Sequence, residues 1–578
     1  MFVSPFTDDD VDQYPLVILA TVINKKQMQD EYLDPFGLDP KDTVGISLYV
    51  PDGKKKASVS EMKDYAQQHL AAVFELCKAQ YVICSDADYF KVLTGEVKAD
   101  VNLGYVLPCV YGDCHVIYVP SYRAVFYDPP KIKPKIAQSI QAMIDHASGT
   151  YFPPGNDIIK FAEYPSTVQS IGEWLNKLLA MDCDLTCDIE AFSLKHYDAG
   201  IGSISFAWNQ HEGIAFAVDY KEIEPTEKLY GAHVKNNAVR ALLIAFFLKF
   251  KRKVIFHNIS YDATVLVYQL FMESILDTEG LLKGIEVILR DWDCTKLISY
   301  LATNSCAGNK LSLKEQSQEF AGNYALEEIK DIRKIPLPKL LEYNLVDSLS
   351  TWFTHNKHYQ TMVDDEQLEI YETLFKPATV DIVQMQLTGL PVNINRVGEV
   401  KAILQAAEGE SLLVLKGSTI ARQFTYQLNE EWVEWKNSVL KKKRVTLADA
   451  KEEFNPKSGP QLQRLLFKQL GLPILSLTDS KQPSTDGETL NSLRSHTDDK
   501  DIIAFLDALI TFKAVDKILS SFIPAFEAAV QGPDGWHYLC GKFNLGGTVS
   551  GRLSSNDPFL IWGSLNHVNS GNIPQGQS

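Results

Sequence analysis

Two acids, Asp188 and Glu190, lie two residues apart in the run TCDIEAF; a third, Asp262, follows Asn258 and Tyr261 in FHNISYD; a fourth, Asp347, follows Tyr343 in EYNLVDSLSTW. Cleaving a phosphodiester with water needs an attacking hydroxide, a stabilised leaving oxygen and compensation for charge on the phosphoryl group. Two divalent ions about 4 Å apart provide all three. Hard ions such as Mg²⁺ or Mn²⁺ take oxygen ligands, and the protein's share is a cluster of carboxylates that would otherwise repel one another. Four acids from three separated segments therefore point to one metal site.

Each acid also has a plainer reading. On a strand, residues i and i+2 face the same way, so Asp188 and Glu190 can share an ion. The same spacing is ordinary on an exposed strand. Asp262 stands where an apolar strand gives way to a helix, a position at which an acid also serves as a cap. Tyr343 is four residues before Asp347 and shares its helical face. A phenol there can hydrogen-bond the attacking water while the acid holds a metal; the alternative is an amphipathic helix with one stray acid. The plain readings must hold three times, in this order and on these elements, which makes them poor together.

The elements that would position these residues can be read from periodicity. From Met181, strands TCDIEAF, GIGSISFAW and GIAFAVDY, helix NAVRALLIAFFLKF, strand KVIFHN and helix YDATVLVYQLF predict a mixed sheet of ribonuclease H type. Upstream, strand-like TVGISLYV, AQYVICSD and HVIYVP alternate with helical EMKDYAQQHLAAVFELCKA and PKIAQSIQAMIDHAS, predicting a separate α/β domain. After about Tyr359 the pattern is mostly helical, broken at Gly389-Leu390-Pro391 and Gly471-Leu472-Pro473.

With 578 residues and 45% hydrophobic content the chain can bury more than one core, and an α/β multidomain protein is expected. The richest apolar run, Ala241 to Leu248, falls short of the roughly 20 residues that span a bilayer. The start, with Asp8, Asp9, Asp10 and Asp12, lacks the regions of a signal peptide, so no membrane and a cytoplasmic location are expected. A net charge of −17 argues against indiscriminate nucleic-acid binding, although Lys441, Lys442, Lys443 and Arg444 concentrate positive charge for a DNA backbone or a solvated face. Nine cysteines are scattered, and the close pairs Cys109/Cys114 and Cys183/Cys187 lack a second pair at zinc-site spacing; reduced structural thiols are expected.

The three acid motifs, in order, resemble those of the DEDD exonuclease superfamily in its tyrosine subtype, over about residues 181–359. The resemblance implies that Asp188, Glu190, Asp262 and Asp347 ligate two Mg²⁺ or Mn²⁺ ions, that Tyr343 orients the water, and that Asn258 supports the site and a single-stranded 3′ end. Ala191 stands where many relatives have threonine, which removes a small contact to the terminal nucleotide. DWDCTKLISYLATN and KLSLKEQSQEF are similar to the substrate-channel region. Downstream, YETLFKPATVDIVQMQLTGLPVN, FNPKSGPQLQRLLFKQLGLP and PSTDGETLNSL resemble the entry helix and thumb of family A (DNA polymerase I type) DNA polymerases, and GGTVSGRLSSNDP their palm entrance. This implies that Thr548, Arg552, Ser554 and Ser555 cradle primer-template phosphates beside Gly551, and that Lys457, Lys468 and Lys481 grip duplex DNA. VPSYRAVFYDP, from Val119, resembles the His-Pro-Ser loop of uracil-DNA glycosylases with Val119 in the histidine's place, implying an inactive domain that serves as a structural or DNA-contacting appendage.

The expected domains are 1–180, α/β; 181–360, exonuclease; 361–535, entry helix and thumb; and 536–578, the start of a palm. After Pro558 the family pattern gives way to IWGSLNHVNSG before Asn572-Ile573-Pro574, and the palm aspartates and finger Lys and Tyr are not reached by Ser578. The resemblance thus implies the N-terminal part of a phage-like replicative DNA polymerase, acting in the host cytoplasm. It would carry 3′→5′ proofreading activity and depend on a second polypeptide for synthesis. A stand-alone single-strand exonuclease and a non-catalytic DNA-binding subunit are the alternatives.

Overall fold

The computed structural model describes residues 3–7, 13–51, 56–127, 129–226, 229–303, 311–322, 324, 329, 331–440, 444–478, 481–548 and 551–555. Lys441, Lys442 and Lys443 of the basic run, and the tail that includes Asn572-Ile573-Pro574, lie outside the described residues. The chain divides into two compact units: residues 1–273, 277–384 and 545–552 form the first, and residues 274–276, 385–544 and 553–578 the second. Among the described residues, no helix is long and apolar enough to cross a membrane.

The first unit contains two six-stranded sheets. Strands β1 (Val3–Pro5), β2 (Leu16–Ala20), β3 (Thr43–Ser47), β4 (Tyr81–Cys84), β5 (Leu107–Pro108) and β6 (His115–Tyr118) line up in the order β1-β3-β2-β4-β6-β5. The inner four run parallel, and β1 and β5 are antiparallel edges. Every residue of β2, LVILA, is buried, as a strand covered on both faces requires. Val17, Leu19 and Val82 pack on one side against Phe74, Tyr89 and Phe90; Ile18, Ile83 and Ile117 pack on the other against Tyr32, Ile136 and Ile140. The loop after β6 is latched by tyrosines. The Tyr32 hydroxyl donates to the Pro120 carbonyl at 2.7 Å and accepts from the Tyr122 N–H, and the Tyr122 hydroxyl donates to the Val22 carbonyl.

The second sheet comprises β7 (Phe161–Glu163), β8 (Leu185–Glu190), β9 (Ser203–Ala207) and β10 (Glu212–Ala217). After the two-stranded ribbon of β11 (Tyr220–Glu222) and β12 (Gly231–His233), it is completed by β13 (Val254–Phe256) and β14 (Trp292–Cys294). The order is β14-β13-β8-β9-β10-β7. The run β8-β9-β10 is an antiparallel meander, β13 and β14 add parallel to β8, and β7 adds parallel to β10. Phe206 meets Phe246 of the helix Asn237–Lys249, with ring centroids 5.1 Å apart. On the opposite face, Ala207 and Ala215 pack with Leu341, Leu345 and Leu349 of the helix Leu337–Asp364. Gly213 permits this approach, because a Cβ there would lie 2.5 Å from the Phe206 carbonyl oxygen and 2.7 Å from Leu345.

The second unit is mostly helical. Helices Ile394–Gly417, Thr419–Val439 and Lys500–Lys517 enclose a core of Leu415, Phe424, Phe454, Leu462, Leu465, Leu490, Phe505, Leu509 and Phe512. Ser418 ends one helix and caps the next through its hydroxyl, which accepts from the Ala421 N–H. The Gly389 break, at φ 68°, leads into a strand, Leu390–Val392, paired with His537–Leu539.

Candidate metal centre

The sheet and one long helix meet through a seam of small polar residues. In the β8/β9 register Asp188 opposes Ser205 and Glu190 opposes Ser203, so all four project to one face. The Ser203 hydroxyl donates to Asn344 Oδ1 at 3.1 Å, and the Ser205 hydroxyl donates to the Asn344 carbonyl at 2.8 Å. Thr186 Oγ1 donates to the Ser348 carbonyl at 2.9 Å. These bonds seat the middle of helix Leu337–Asp364 against the acids. Asp347, one turn beyond Tyr343, is thereby carried to β8, and one oxygen each from Asp188, Glu190 and Asp347 lies within 4.8 Å of the others.

Asp262 comes from the first turn of helix Ile259–Phe271 and is only 4% exposed. It stands beside this three-acid cluster rather than in it, close enough for its charge to act on Asp188 and Glu190. The N-cap itself is Asn258, in the left-handed region at φ 64° and without a side-chain cap bond, while the Asp262 carboxylate accepts from its own first-turn N–H. Asn258 Oδ1 instead accepts from Lys296 Nζ at 2.9 Å. The neighbouring His257 is half-buried and held neutral, its pKa pushed down to about 3 chiefly by desolvation. Its ring nitrogens engage the Thr295 hydroxyl at 2.8 Å and the Leu311 carbonyl at 3.0 Å, fastening the segment that leads to Lys314.

The electrostatics are those of anions crowded out of water. Burial first, then the charges of Asp347, Asp262 and Glu190, hold Asp188 well above the ordinary carboxylate range. Glu190 is pushed up to about 8 by burial and Asp347, and Asp347 to about 7 by burial. Asp262 is raised well above its usual value, again chiefly by burial. Several groups oppose this, the Tyr343 hydroxyl on Asp347 and the Asp262 N–H on its own carboxylate among them. The Asn344 amide donates to Asp188 Oδ2 at 2.7 Å, and the Lys314 ammonium pulls Glu190 and Asp347 down. Lys314 Nζ also lies 5.1 Å from the centroid of the Tyr343 ring. Burial and the neighbouring acids raise the Tyr343 phenol, leaving it a neutral donor that hydrogen-bonds Asp347. A set of oxygen donors whose mutual repulsion is only partly compensated fits hard divalent cations.

Spacing did not reveal Asn344, Lys296 or Lys314. The two lysines do fall in DWDCTKL and KLSLKEQ, the segments similar to a substrate channel. Of the downstream residues, Thr548 donates from its hydroxyl to the Arg552 carbonyl at 2.8 Å and accepts at its own carbonyl from Tyr300, and Gly551 is at φ 72°. Arg552 is exposed. Ser554 and Ser555 form a strand paired with Phe543–Asn544, and the Ser555 hydroxyl donates to the Lys542 carbonyl. Lys457 is paired with Asp516 at 2.5 Å, while Lys468 and Lys481 are exposed.

Residues 425–561 match the family model for DNA polymerase family A. The DNA polymerase of Bacillus phage SP01 is 24% identical over 354 residues, which cover 56% of this chain and 36% of that one. DNA polymerase I of Bacillus subtilis (strain 168) is 27% identical over 229 residues, covering 39% of this chain and 22% of that one. A solved POL domain of Pol1 from M. smegmatis, in complex with DNA primer-template and dNTP, superposes with a TM-score of 0.42 at 14% identity, covering 69% of this chain and 55% of that one. The chain spans little more than a third of the phage relative's length and under a quarter of the bacterial one's. These matches give no support to a second polypeptide. They make the chain a homologue of the family A DNA polymerases.

Proposed function

We propose that the chain carries a metal-dependent 3′→5′ exonuclease that edits DNA ends for a family A replicative polymerase. The observation that carries this reading is the convergence of Asp188, Glu190 and Asp347 oxygens within 4.8 Å. Homology to DNA polymerases supports DNA as the substrate. The antiparallel meander extended by two parallel strands supports a ribonuclease H-like sheet. In this reading, 181–360 carry the exonuclease acids, 361–535 the entry helix and thumb, and 536–578 the start of a palm; of residues 1–180, the part before β7 is a structural or DNA-contacting appendage, while β7 completes the acid-bearing sheet.

Two Mg²⁺ or Mn²⁺ ions held by Asp188, Glu190, Asp262 and Asp347 would supply Lewis acidity to the phosphoryl group and acidity to the attacking water. Asn344 keeps the Asp188 carboxylate aimed at the cluster through its 2.7 Å bond. Tyr343, neutral and anchored on Asp347, orients the water by its hydroxyl. Asn258 and Lys296 offer donors to the phosphates of the departing single strand. Thr548, Arg552, Ser554 and Ser555 contact primer-template. Nucleotide addition needs palm and finger groups, which act alongside these residues whether or not they share a polypeptide.

The test uses a 5′-labelled single strand with Mg²⁺ or Mn²⁺, the purified chain, and the double variant Asp188→Ala/Glu190→Ala. Stepwise shortening from the 3′ end by the unaltered chain alone is the expected result. Shortening by both proteins, or by neither, overturns the assignment.

A further inference from the structure

A second chemical site lies in the first sheet, away from the acids. Strands β5 and β6 are joined by Val110-Tyr111-Gly112-Asp113, flanked by Cys109 and Cys114. Leu107 pairs with Val116 and Pro108 with His115, so Cys109 and Cys114 are the next opposed residues, and the Cys109 N–H donates to the Cys114 carbonyl at 2.9 Å. Opposed residues in an antiparallel ladder hold their Cα atoms about 4.5–5.5 Å apart, within the roughly 4.4–6.8 Å that a disulfide spans. The two sulfurs lie close enough to act on each other electrostatically, and the backbone N–H groups of Tyr111 and Gly112 act on the Cys109 sulfur. The loop is fixed around them. Val110 N–H donates to the Leu93 carbonyl at 2.7 Å, and a Cβ on Gly112 would meet Phe74 at 3.3 Å and Cys114 Sγ at 3.7 Å. Cys109 is partly exposed while Cys114 is buried.

We infer that Cys109 and Cys114 form a thiol–disulfide exchange site, with Cys109 as the attacking sulfur and Cys114 as the resolving one. The Cys114 thiol, followed by the two backbone N–H groups, holds the Cys109 thiol below its ordinary range, whereas Cys109 and burial hold Cys114 high. The co-reactant is a small-molecule disulfide, RSSR. The Cys109 thiolate attacks one sulfur of RSSR, forming a mixed disulfide and releasing RS⁻. Cys114 then gives up its proton and attacks the Cys109 sulfur, forming the internal disulfide and releasing the second RS⁻. The two protons lost by the protein end on the two thiolates, so one dithiol and one RSSR become one internal disulfide and two RSH. Oxidation staples the 110–113 loop and reduction frees it.

The full chain is treated with graded oxidised glutathione, quenched with acid, alkylated and mapped by peptide mass. Cys109 is expected to react about tenfold faster than Cys183 and Cys540, the other partly exposed thiols among the described residues. The product is an internal crosslink lighter by about 2 Da and reversed by dithiothreitol. Cys114→Ser should stop at the glutathionyl adduct on Cys109, and Cys109→Ser should leave Cys114 unmodified. An intact Cys109/Cys114 pair at an oxidant level that modifies Cys183 or Cys540 overturns the site, and this comparison within the unaltered chain does not depend on either variant folding.

Discussion

The Asn344 side chain donates to Asp188 Oδ2 at 2.7 Å while its own oxygen accepts from Ser203. One amide thus connects the long helix, β8 and β9, and its donor opposes the burial that drives Asp188 toward protonation. Asn344→Ala removes that donor and leaves the helix able to form. Mn²⁺ affinity and 3′-end degradation are expected to fall about 10–100-fold, with far-UV circular dichroism unchanged. Full activity in the variant would show that the bond is idle.

Tyr343→Phe removes a hydroxyl and little else. Because the phenol is expected to orient water rather than hold substrate, kcat should fall about 10²-fold with KM near its original value. A rise in KM instead would assign the ring to strand binding.

Removing metal should expose the acids' repulsion. Glu190 and Asp347, at about 8 and about 7 in the folded chain, bind protons more tightly than in an unfolded chain. The stability they contribute is therefore complete below the unfolded carboxylate range and is lost as pH rises through about 7 to 8. In chelator, the melting temperature should fall between about pH 5 and about pH 9, and Mn²⁺ should restore it at the alkaline end. Asp188→Asn, which removes one repelling charge, should flatten the fall. A melting temperature that ignores both pH and Mn²⁺ would argue against a metal centre.

Lys296 supports Asn258 at the edge of the site. Lys296→Met should raise KM for a single strand several-fold and reduce the salt dependence of binding by about one phosphate contact, with kcat nearly unchanged. An unaltered salt slope would make Lys296 purely structural.

Where sequence was informative, geometry was local. The strands and helices around Asp188, Asp262 and Asp347 follow from alternation and helical period, since β8, β9 and β10 each put apolar residues on a buried face. Tyr343 and Asp347 share a helix face because spacing alone decides it. Asn344 was invisible by the same logic: it is an ordinary polar residue mid-helix, and its partner is 156 positions away. Lys314 likewise acts through folding of a distant segment onto Tyr343. Strand β2, LVILA, is apolar throughout and shows no alternation to mark it, and β7, FAE, with only its middle residue partly covered, shows none either. Asp262 is legible as an acid at a strand–helix junction, but only its burial beside Asp188 and Glu190 sets it apart from an ordinary first-turn acid.

Strand β7 also governs where the chain can be cut. Phe161, Ala162 and Glu163 pair with Glu212, Gly213 and Ile214, yet they precede the acid-bearing strand by more than twenty residues. A fragment beginning at Met181 would leave the hydrogen-bonding groups of β10 as an open edge, the kind of surface that recruits strands from other molecules. Trimming upstream of Ile158 keeps that edge closed. A fragment that aggregates after the trim to Met181 need not have lost Asp188, Glu190, Asp262 or Asp347; it would have lost the strand that ends the sheet.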